Sequence, residues 1–260
     1  MRLFDTGVNL LDPRFDIDAV LSESLTHHVD HILLISSNIE ESQQAVDLQK
    51  QYQDHPLTLR LTAGVHPHHA DHASDAGWQI LNELLASESV SAVGECGLDF
   101  NRNFSTPRNQ IAAFDAQLQI AAQHNKGVYL HEREAFEQQK SMLLPMASKL
   151  PFMVTHCFTG NTAQLRAYLD IGCYIGITGW ICDDKRGADL QEAVKQLPLS
   201  KLLLETDSPY LFPKTLRPRA KQNTPKNLHA IAEKVAELKQ LPIQQIYEAA
   251  YTNACHLFNT

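Results

Sequence analysis

Eight short apolar runs, each followed by a stretch of helical periodicity, constrain the fold of this 260-residue chain more than any other feature. The runs have the length and apolar content of buried strands. They are RLFD (2–5), HILLIS (31–36), RLTAGV (60–65), SAVGE (91–95), GVYLH (127–131), FMVTH (152–156), GCYIGIT (172–178) and KLLLET (201–206). Eight strand–helix units in succession predict an α/β fold, the (β/α)8 TIM barrel.

Helix signals occupy the segments between and after these strands. Segment 108–124 follows Thr106 and Pro107 and places apolar residues three and four apart, and similar patterns follow the last strand, one of them after residues 224–225. An open, doubly wound sheet of eight strands has the same periodicity and is the alternative. Because no linker, repeat or low-complexity tract divides the chain, residues 1–260 are expected to form a single domain.

Composition restricts the cellular compartment and the class of protein that are expected. The apolar runs are far shorter than the roughly 20 residues that cross a bilayer, and the start of the chain has an acid by residue 5 and no secretory leader pattern. The five cysteines are scattered, without a Cys-x-x-Cys pair, which favours a reducing, cytoplasmic compartment over a disulfide framework. A net charge of −8 argues against a general nucleic-acid coat protein, although one local basic site remains compatible with it.

Titratable side chains stand where the predicted strands end. These residues are Asp5, His66, Glu95, His131, His156 and Asp207. In a barrel, the carboxyl ends of the strands meet at one face, where active sites form. Carboxylate and neutral imidazole groups together suit a divalent cation such as Mg²⁺, Mn²⁺ or Zn²⁺. Glu205 lies two residues before Asp207 and is expected to orient a ligand from below.

Several neighbouring residues are expected to be structural. Cys96 and Cys157 directly follow site residues, and because adjacent strand residues face opposite sides, both thiols should pack against the outer helices. In the run HPHHADH (66–72), the histidines after His66 are expected to lie in a solvated loop. The chain also lacks a Gly-rich nucleotide-binding fingerprint and a G-x-S-x-G elbow.

A basic loop follows the last predicted strand. Residues 208–227 contain five basic side chains and no acid. The bases are Lys214, Arg217, Arg219, Lys221 and Lys226, and they are interleaved with Tyr210 and Phe212. In a barrel this loop borders the active-site mouth, and Arg102 and Arg133 follow other strands. This placement suits an anionic substrate such as a phosphodiester chain, with a plain solvated loop as the alternative.

Six motifs are spread over nearly the whole chain: GVHPH (64–68), VGECGLDFNRNFSTP (93–107), LHEREA (130–135), THCFTG (155–160), GITGW (176–180) and LLLETDSPYL (202–211). Together and in this order, they resemble the motifs of the TatD family of metal-dependent deoxyribonucleases. The resemblance implies a TIM barrel of the metal-dependent hydrolase type that uses Mg²⁺ or a similar ion. It also implies 3′-to-5′ exonucleolytic cutting of single-stranded DNA, with RNA as a further substrate, and a role in DNA repair.

The resemblance also assigns roles to residues. The metal ligands fall on Glu95, His131, His156 and Asp207, with Glu95 and Asp207 also catalytic. His66 matches the histidine of the family's G-x-H-P motif and is expected to bind substrate. From their positions in the sequence, Arg133, Arg217 and Arg219 are also expected to bind substrate, and Glu205 and Asn9 to orient the ligands. Many relatives begin with Asp-x-His-x-His, whereas this chain has Gly7 and Asn9 in place of the two histidines. One well-formed metal site is therefore expected, and any second ion should bind weakly and arrive with the phosphate.

The expected mechanism is metal-assisted hydrolysis of a phosphodiester, with Asp207 accepting the proton of the attacking water. No membrane and no obligate protein partner is expected. Two alternatives remain at this point. The first is a metal-dependent deacylase of misacylated aminoacyl-tRNA, and the second is a metal-poor scaffold that binds nucleic acid without catalysis.

Overall fold

The computed structural model describes residues 2–258, and these contain one sheet of eight parallel strands in chain order. The strands are β1 (Leu3–Val8), β2 (Val29–Leu34), β3 (Thr58–Ala63), β4 (Val90–Asp99), β5 (Gly127–Arg133), β6 (Met153–Thr155), β7 (Tyr174–Ile177) and β8 (Leu202–Leu204). A bridge between Val8 and Ser208 and a 2.9 Å hydrogen bond from Asp207 N to Gly7 O join the last strand segment to the first. This closure and the strand order confirm the barrel and exclude a doubly wound sheet.

Helices connect the strands and cover the outside of the barrel. They are α1 (Ile17–Thr26), α2 (Ile39–Gln51), α3 (Asp75–Leu84), α4 (Pro107–Gln123), α5 (Phe136–Leu143), α6 (Thr162–Asp170), α7 (Ala188–Gln196), α8 (Leu228–Lys239) and α9 (Ile243–Phe258). The helix predicted over 108–124 is α4, which Thr106 caps by accepting the Asn109 amide. Within residues 2–258, no helix combines the length and the apolar character that a bilayer span needs.

The barrel interior is apolar at its lower end and polar at its upper end. Side chains from alternate strand positions fill the lower end, and Phe258 of α9 packs beneath them. Two residues further along the same strands, the inward positions become polar: Tyr129 is followed by His131, and Val154 by His156. Because inward-facing residues recur at every second position, both histidines lie above the core, at the carboxyl ends of the strands.

Asp5 is a correction to the sequence analysis, because it does not end its strand. It lies within β1, is fully buried, and contacts the segment after β8. Its Oδ1 accepts the Thr206 amide at 2.8 Å, and its Oδ2 lies 2.5 Å from Thr206 Oγ1, which lies 2.9 Å from Ser208 Oγ. Burial raises the pKa of Asp5 to about 8. A neutral Asp5 can donate to Thr206, which then donates to Ser208, so this carboxyl joins β1 to β8 rather than binding a ligand.

Replacing Asp5 with asparagine should stabilise the fold increasingly as the pH rises from about 4 to about 8. Because the folded-state pKa is raised from 3.8 to about 8, Asp5 ionises in the unfolded chain but not in the fold across that window, and the stability of the wild type falls by roughly 1.4 kcal/mol per pH unit. The amide of Asp5→Asn offers the same donor and acceptor and does not ionise. The melting temperatures of variant and wild type should coincide near pH 4 and separate by pH 8, with the variant higher. A separation that is the same at every pH would show that Asp5 is ionised in the fold.

Candidate metal centre

A cavity of about 800 Å³ opens at the carboxyl ends of the strands. It collects most of the site residues expected from the sequence. Those that line it are Asn9, His66, Glu95, His131, Arg133, His156, Asp207 and Arg219. Glu205 lies fully buried beneath this face. Arg217 is not among the lining residues, since its guanidinium donates to the carbonyls of Lys214 and Leu216.

Glu95 occupies the centre of the cavity floor, facing three imidazoles. Its Oε1 lies 2.9 Å from His131 Nδ1, 3.5 Å from His66 Nε2 and 4.0 Å from His156 Nε2. Burial acts to raise the pKa of Glu95, but the three histidines outweigh it and hold this pKa well below its usual value. Glu95 is therefore ionised, and its charge is directed at nitrogen atoms that could share a cation with it.

His156 is held from behind by Glu205 and Tyr129. Its Nδ1 lies 2.9 Å from Glu205 Oε2 and 2.7 Å from the Tyr129 hydroxyl, which in turn lies 2.9 Å from Glu205 Oε1. Its Nε2 faces the cavity, 3.7 Å from Asp207 Oδ1. A carboxylate behind the far nitrogen of a histidine fixes the tautomer of a metal ligand. Glu205 is therefore placed to hold the His156 ring with Nε2 towards the cavity.

His131 has the same arrangement, with Asp99 in the place of Glu205. Its Nδ1 faces Glu95, and its Nε2 lies 3.2 Å from Asp99 Oδ2. Burial acts to lower the pKa of His131, but hydrogen bonds to Asp99 and Glu95 raise it to about 9. Asp99 accepts the hydrogen on Nε2, so the proton that the ring would give up to a cation is the one on Nδ1, beside Glu95.

Asp99 and His68 were missed by the sequence analysis. The expectation that His68 lies in a solvated loop is wrong, because it is in a 3₁₀ helix (Pro67–His72), lines the cavity, and places Nε2 2.7 Å from Asp99 Oδ2. Asp99 is fully buried and ends β4, which continues four residues past the predicted end at Glu95. The signal that could have revealed Asp99 was its place inside the motif VGECGLDF.

Asp99→Asn should weaken metal binding without unfolding the protein. An asparagine that keeps its carbonyl oxygen towards the Asn101 and Arg102 amides presents its NH₂ group to His131 and His68. His131 then loses the acceptor that holds its tautomer. We expect the affinity for Mn²⁺, measured by calorimetry, to fall about 10- to 100-fold, with a melting temperature close to that of the wild type. Unchanged Mn²⁺ affinity would show that Asp99 does not orient His131.

His66 is placed as a hydrogen-bond donor. Its Nδ1 accepts the backbone amide of His68 at 3.1 Å, so Nε2 carries the hydrogen and faces Glu95. Burial lowers the pKa of His66 to about 4, which keeps the ring neutral. Ligand atoms of His66, His68 and His131 lie within 4.8 Å of one another. This tautomer nevertheless leaves His66 Nε2 without a lone pair for a metal ion. His66 therefore faces the cavity with a hydrogen-bond donor rather than a metal ligand.

Asp207 and Asn9 come from adjacent segments of the barrel rim. Asn9 Nδ2 donates to Asp207 Oδ1 at 3.0 Å, so the amide contacts the carboxylate through its NH₂ group. Asp207 has a left-handed backbone with φ of 53°, a conformation that costs strain outside glycine and is common at functional sites. It directs the carboxylate across the cavity towards His156.

Gly7 explains why this chain has no first-strand histidine. A Cβ atom at position 7 would lie 2.7 Å from the Tyr129 hydroxyl and 3.3 Å from His156 Cε1. The hydroxyl group that helps to hold His156 therefore occupies the space of a side chain at position 7. The remaining oxygen and nitrogen donors of Glu95, His131, His156 and Asp207 are of the types that suit a hard or borderline divalent cation.

The two cysteines next to the site behave differently. Cys96 is fully buried in the core between sheet and helices, as expected. The prediction for Cys157 is wrong: β6 ends at Thr155, Cys157 has φ of 44°, and the residue lines the cavity. Burial raises the pKa of its thiol to about 12, and its Sγ lies 3.3 Å from Thr178 Oγ1. Cys157 is therefore a neutral part of the cavity wall.

Basic side chains surround the mouth of the cavity. Those that line it are Arg14, Arg102, Arg133, Arg186, Lys214, Arg219 and Lys221. Lys226, also in the predicted basic loop, instead pairs with Glu23 at 2.8 Å. Two of the lining guanidinium groups, those of Arg133 and Arg186, lie over the Trp180 ring, 5.7 and 4.3 Å from its centroid. The mouth thus combines positive charge with aromatic surface, although the whole chain is acidic.

Comparison with known proteins gives consistent matches over the whole barrel. Residues 4–259 match the family described as TatD related DNase. A protein of Erwinia tasmaniensis named 3′-5′ ssDNA/RNA exonuclease TatD is 44% identical over 261 residues, covering 99% of this chain and 100% of the relative. The protein of the same name from Escherichia coli K12 is 45% identical over 238 residues, covering 90% of each chain.

Solved structures agree on the architecture. The TatD homologue YJJV of Escherichia coli K12 superposes with a TM-score of 0.90 at 28% identity, covering 100% of this chain and 98% of the other. A phosphotriesterase homology protein of Escherichia coli has the same fold with a TM-score of 0.68 at 13% identity, covering 99% and 98%.

Proposed function

This chain belongs to the family of TatD-related DNases, and on that premise we propose that it is a 3′-to-5′ exonuclease that hydrolyses phosphodiester bonds of single-stranded DNA and RNA. The proposal includes a divalent cation, Mg²⁺ foremost, a single-domain enzyme of the cytoplasm and a role in DNA repair. Relatives 42–45% identical that carry this activity in their names support the reaction. The free state of all five cysteines fits the compartment.

The observation that carries the proposal is the charge pattern of the cavity. Carboxylates and histidines cluster on its floor around Glu95, and Arg or Lys side chains surround its mouth. A negatively charged floor alone would repel a phosphate. With a cation bound by the floor, the cavity would attract a phosphodiester from the mouth inward.

Glu95, His131, His156 and Asp207 would hold the cation. Once bound, it would neutralise charge on a phosphate oxygen and lower the pKa of a water molecule. Glu205 and Asp99 keep the two histidines in the tautomers that leave one nitrogen free for ligation.

The remaining groups act on substrate and proton. The Asn9 amide donates to Asp207 Oδ1. The other carboxylate oxygen, Oδ2, can therefore accept the proton of the attacking water. His66 Nε2–H, next to Glu95, donates to a non-bridging phosphate oxygen. Arg133, which lies over Trp180, and Arg219 line the cavity and bind the phosphate backbone of the substrate.

The substrate class is tested by offering three substrates to one preparation: single-stranded DNA, single-stranded RNA and an aminoacyl-tRNA. The proposal predicts that DNA and RNA shorten on a gel with Mg²⁺ present. A deacylase would instead release the amino acid and leave the RNA length unchanged. Binding without any product would indicate the non-catalytic scaffold.

A further inference from the structure

The loop between β4 and α4 exposes a phenylalanine beside the cavity. Phe104 is 69% exposed and packs edge-on against His68, with ring centroids 4.8 Å apart. Among residues 2–258, the other exposed large hydrophobic side chains are those of Leu144 and Tyr210. Because His68 lines the cavity, the exposed Phe104 ring beside it is available for contact with a ligand that enters there.

Hydrogen bonds hold this loop in place on both sides of Phe104. Before it, the amides of Asn101 and Arg102 donate to Asp99 Oδ1 at 3.1 and 2.8 Å. After it, Ser105 Oγ donates to the His68 carbonyl at 2.9 Å. The ring is therefore presented by a fixed backbone, so a planar ligand could stack on it with little further loss of conformational entropy.

One side chain, that of His68, lies between Phe104 and His131 of the candidate metal centre. The His68 ring lies 4.8 Å from Phe104 on one side and 5.9 Å from His131 on the other. Base and phosphate of a nucleotide are separated by one sugar. A phosphate on the cavity floor would therefore have the base of its own nucleotide only one sugar away, on a path that leads past His68 towards Phe104.

The charge around the ring suits the same ligand. Arg102, two residues before Phe104, lines the cavity. On the opposite side of the barrel, after β8, Tyr210 is 48% exposed with the Arg14 guanidinium 4.6 Å from its ring centroid. Aromatic rings interleaved with cations are the surface that single-stranded nucleic acids use.

We propose that Phe104 is the stacking platform for the base of the nucleotide that is released, an inference that rests on the proposed nuclease function. A base in a duplex is already paired and stacked, so it cannot occupy this platform without being pulled out. Phe104 would therefore bias the enzyme towards unpaired ends, whatever the identity of the base, because every base has a π-face.

The test measures KM and kcat for a single-stranded oligonucleotide with a normal or an abasic 3′-terminal nucleotide. Phe104→Ala should raise KM for the normal strand about 10-fold and change kcat little. Phe104→Trp should restore the wild-type KM, whereas Phe104→Leu, apolar without a π-face, should remain closer to alanine. On the abasic strand, wild type and Phe104→Ala should have the same KM.

Leu144→Ala is the matched control, because Leu144 is 63% exposed and follows α5, outside the cavity lining. It should behave as wild type on both strands. Base stacking is refuted if Phe104→Ala has the wild-type KM on normal strands, or if the substitution raises KM as much on abasic strands as on normal ones. A Phe104→Ala variant that loses self-association but keeps the wild-type KM would also refute base stacking, because Phe104 would then contact another copy of the chain. A wild type that degrades no strand at all would refute the nuclease function instead.

Discussion

Glu95→Gln is expected to abolish metal binding and reduce turnover by about 10³-fold or more, the loss of several kcal/mol of transition-state stabilisation. Glu95 is the group that His66, His131 and His156 all face, and its pKa is held far below the usual value. An amide of the same shape has no charge and presents an NH₂ group to those nitrogens. Calorimetry with Mn²⁺ should show little or no binding, and DNA digestion should be barely detectable.

Glu132→Gln is the control for this substitution. Glu132 follows His131 on β5, lines the same cavity, and accepts the Ala135 amide at 2.8 Å through an oxygen that glutamine retains. Its variant should bind Mn²⁺ and digest DNA at close to the wild-type level. If Glu95→Gln bound Mn²⁺ as tightly as Glu132→Gln does, Glu95 would not be a metal ligand.

Asp207→Asn should retain the fold and lose turnover by about 10²- to 10⁴-fold, the range that a positioned general base contributes. Residue 207 has φ of 53°, and asparagine is among the few residues that tolerate this left-handed conformation. The backbone contacts that close the barrel at this point should therefore remain. The lost carboxylate, as proton acceptor and as ligand of the cation, rather than a misfolded loop, would then explain the loss of kcat.

Asp12→Asn serves as the comparison, since Asp12 is a nearby carboxylate at the rim that pairs with Arg14. We expect Asp12→Asn to digest DNA within a few-fold of the wild type. The pH profile of the residual activity adds a second readout, because removal of a base should remove the acidic limb of the profile. Near-wild-type turnover in Asp207→Asn would remove Asp207 from the role of base.

The sequence predicted the strands and the floor of the cavity because both depend on local patterns. Apolar runs mark buried strands, and parallel strands bring their carboxyl ends together, so Glu95, His131, His156 and Asp207 could be placed at one face without any coordinates. The period of two along a strand also placed Glu205 beneath Asp207.

What could not be predicted depends on departures from that period. β4 shifts register between Val93 and Cys96 and contains Gly97 at φ of 134°, where a Cβ atom would overlap the His131 carbonyl. The apolar alternation in the sequence therefore stops at Glu95, although the strand itself continues to Asp99. Cys157 was placed wrongly for a similar reason, since its left-handed backbone interrupts the alternation after β6.

Contacts between distant segments were also beyond the reach of the sequence. Arg14 and Arg186 lie after β1 and β7, and only the folded barrel brings them to the same mouth as the basic loop. Likewise, the overlap of a position-7 side chain with Tyr129 connects strands that are more than a hundred residues apart. The sequence showed that the first-strand histidines are missing, and the structure supplies the physical reason.

The central claim is tested most directly by digesting one single-stranded DNA labelled separately at its 3′ and 5′ ends, with Mg²⁺ and with chelator. The account predicts that the 3′ label is released at once as a mononucleotide, that the 5′-labelled strand shortens stepwise, and that chelator stops both. Immediate release of the 5′ label, internal fragments, or digestion that continues in chelator would contradict it.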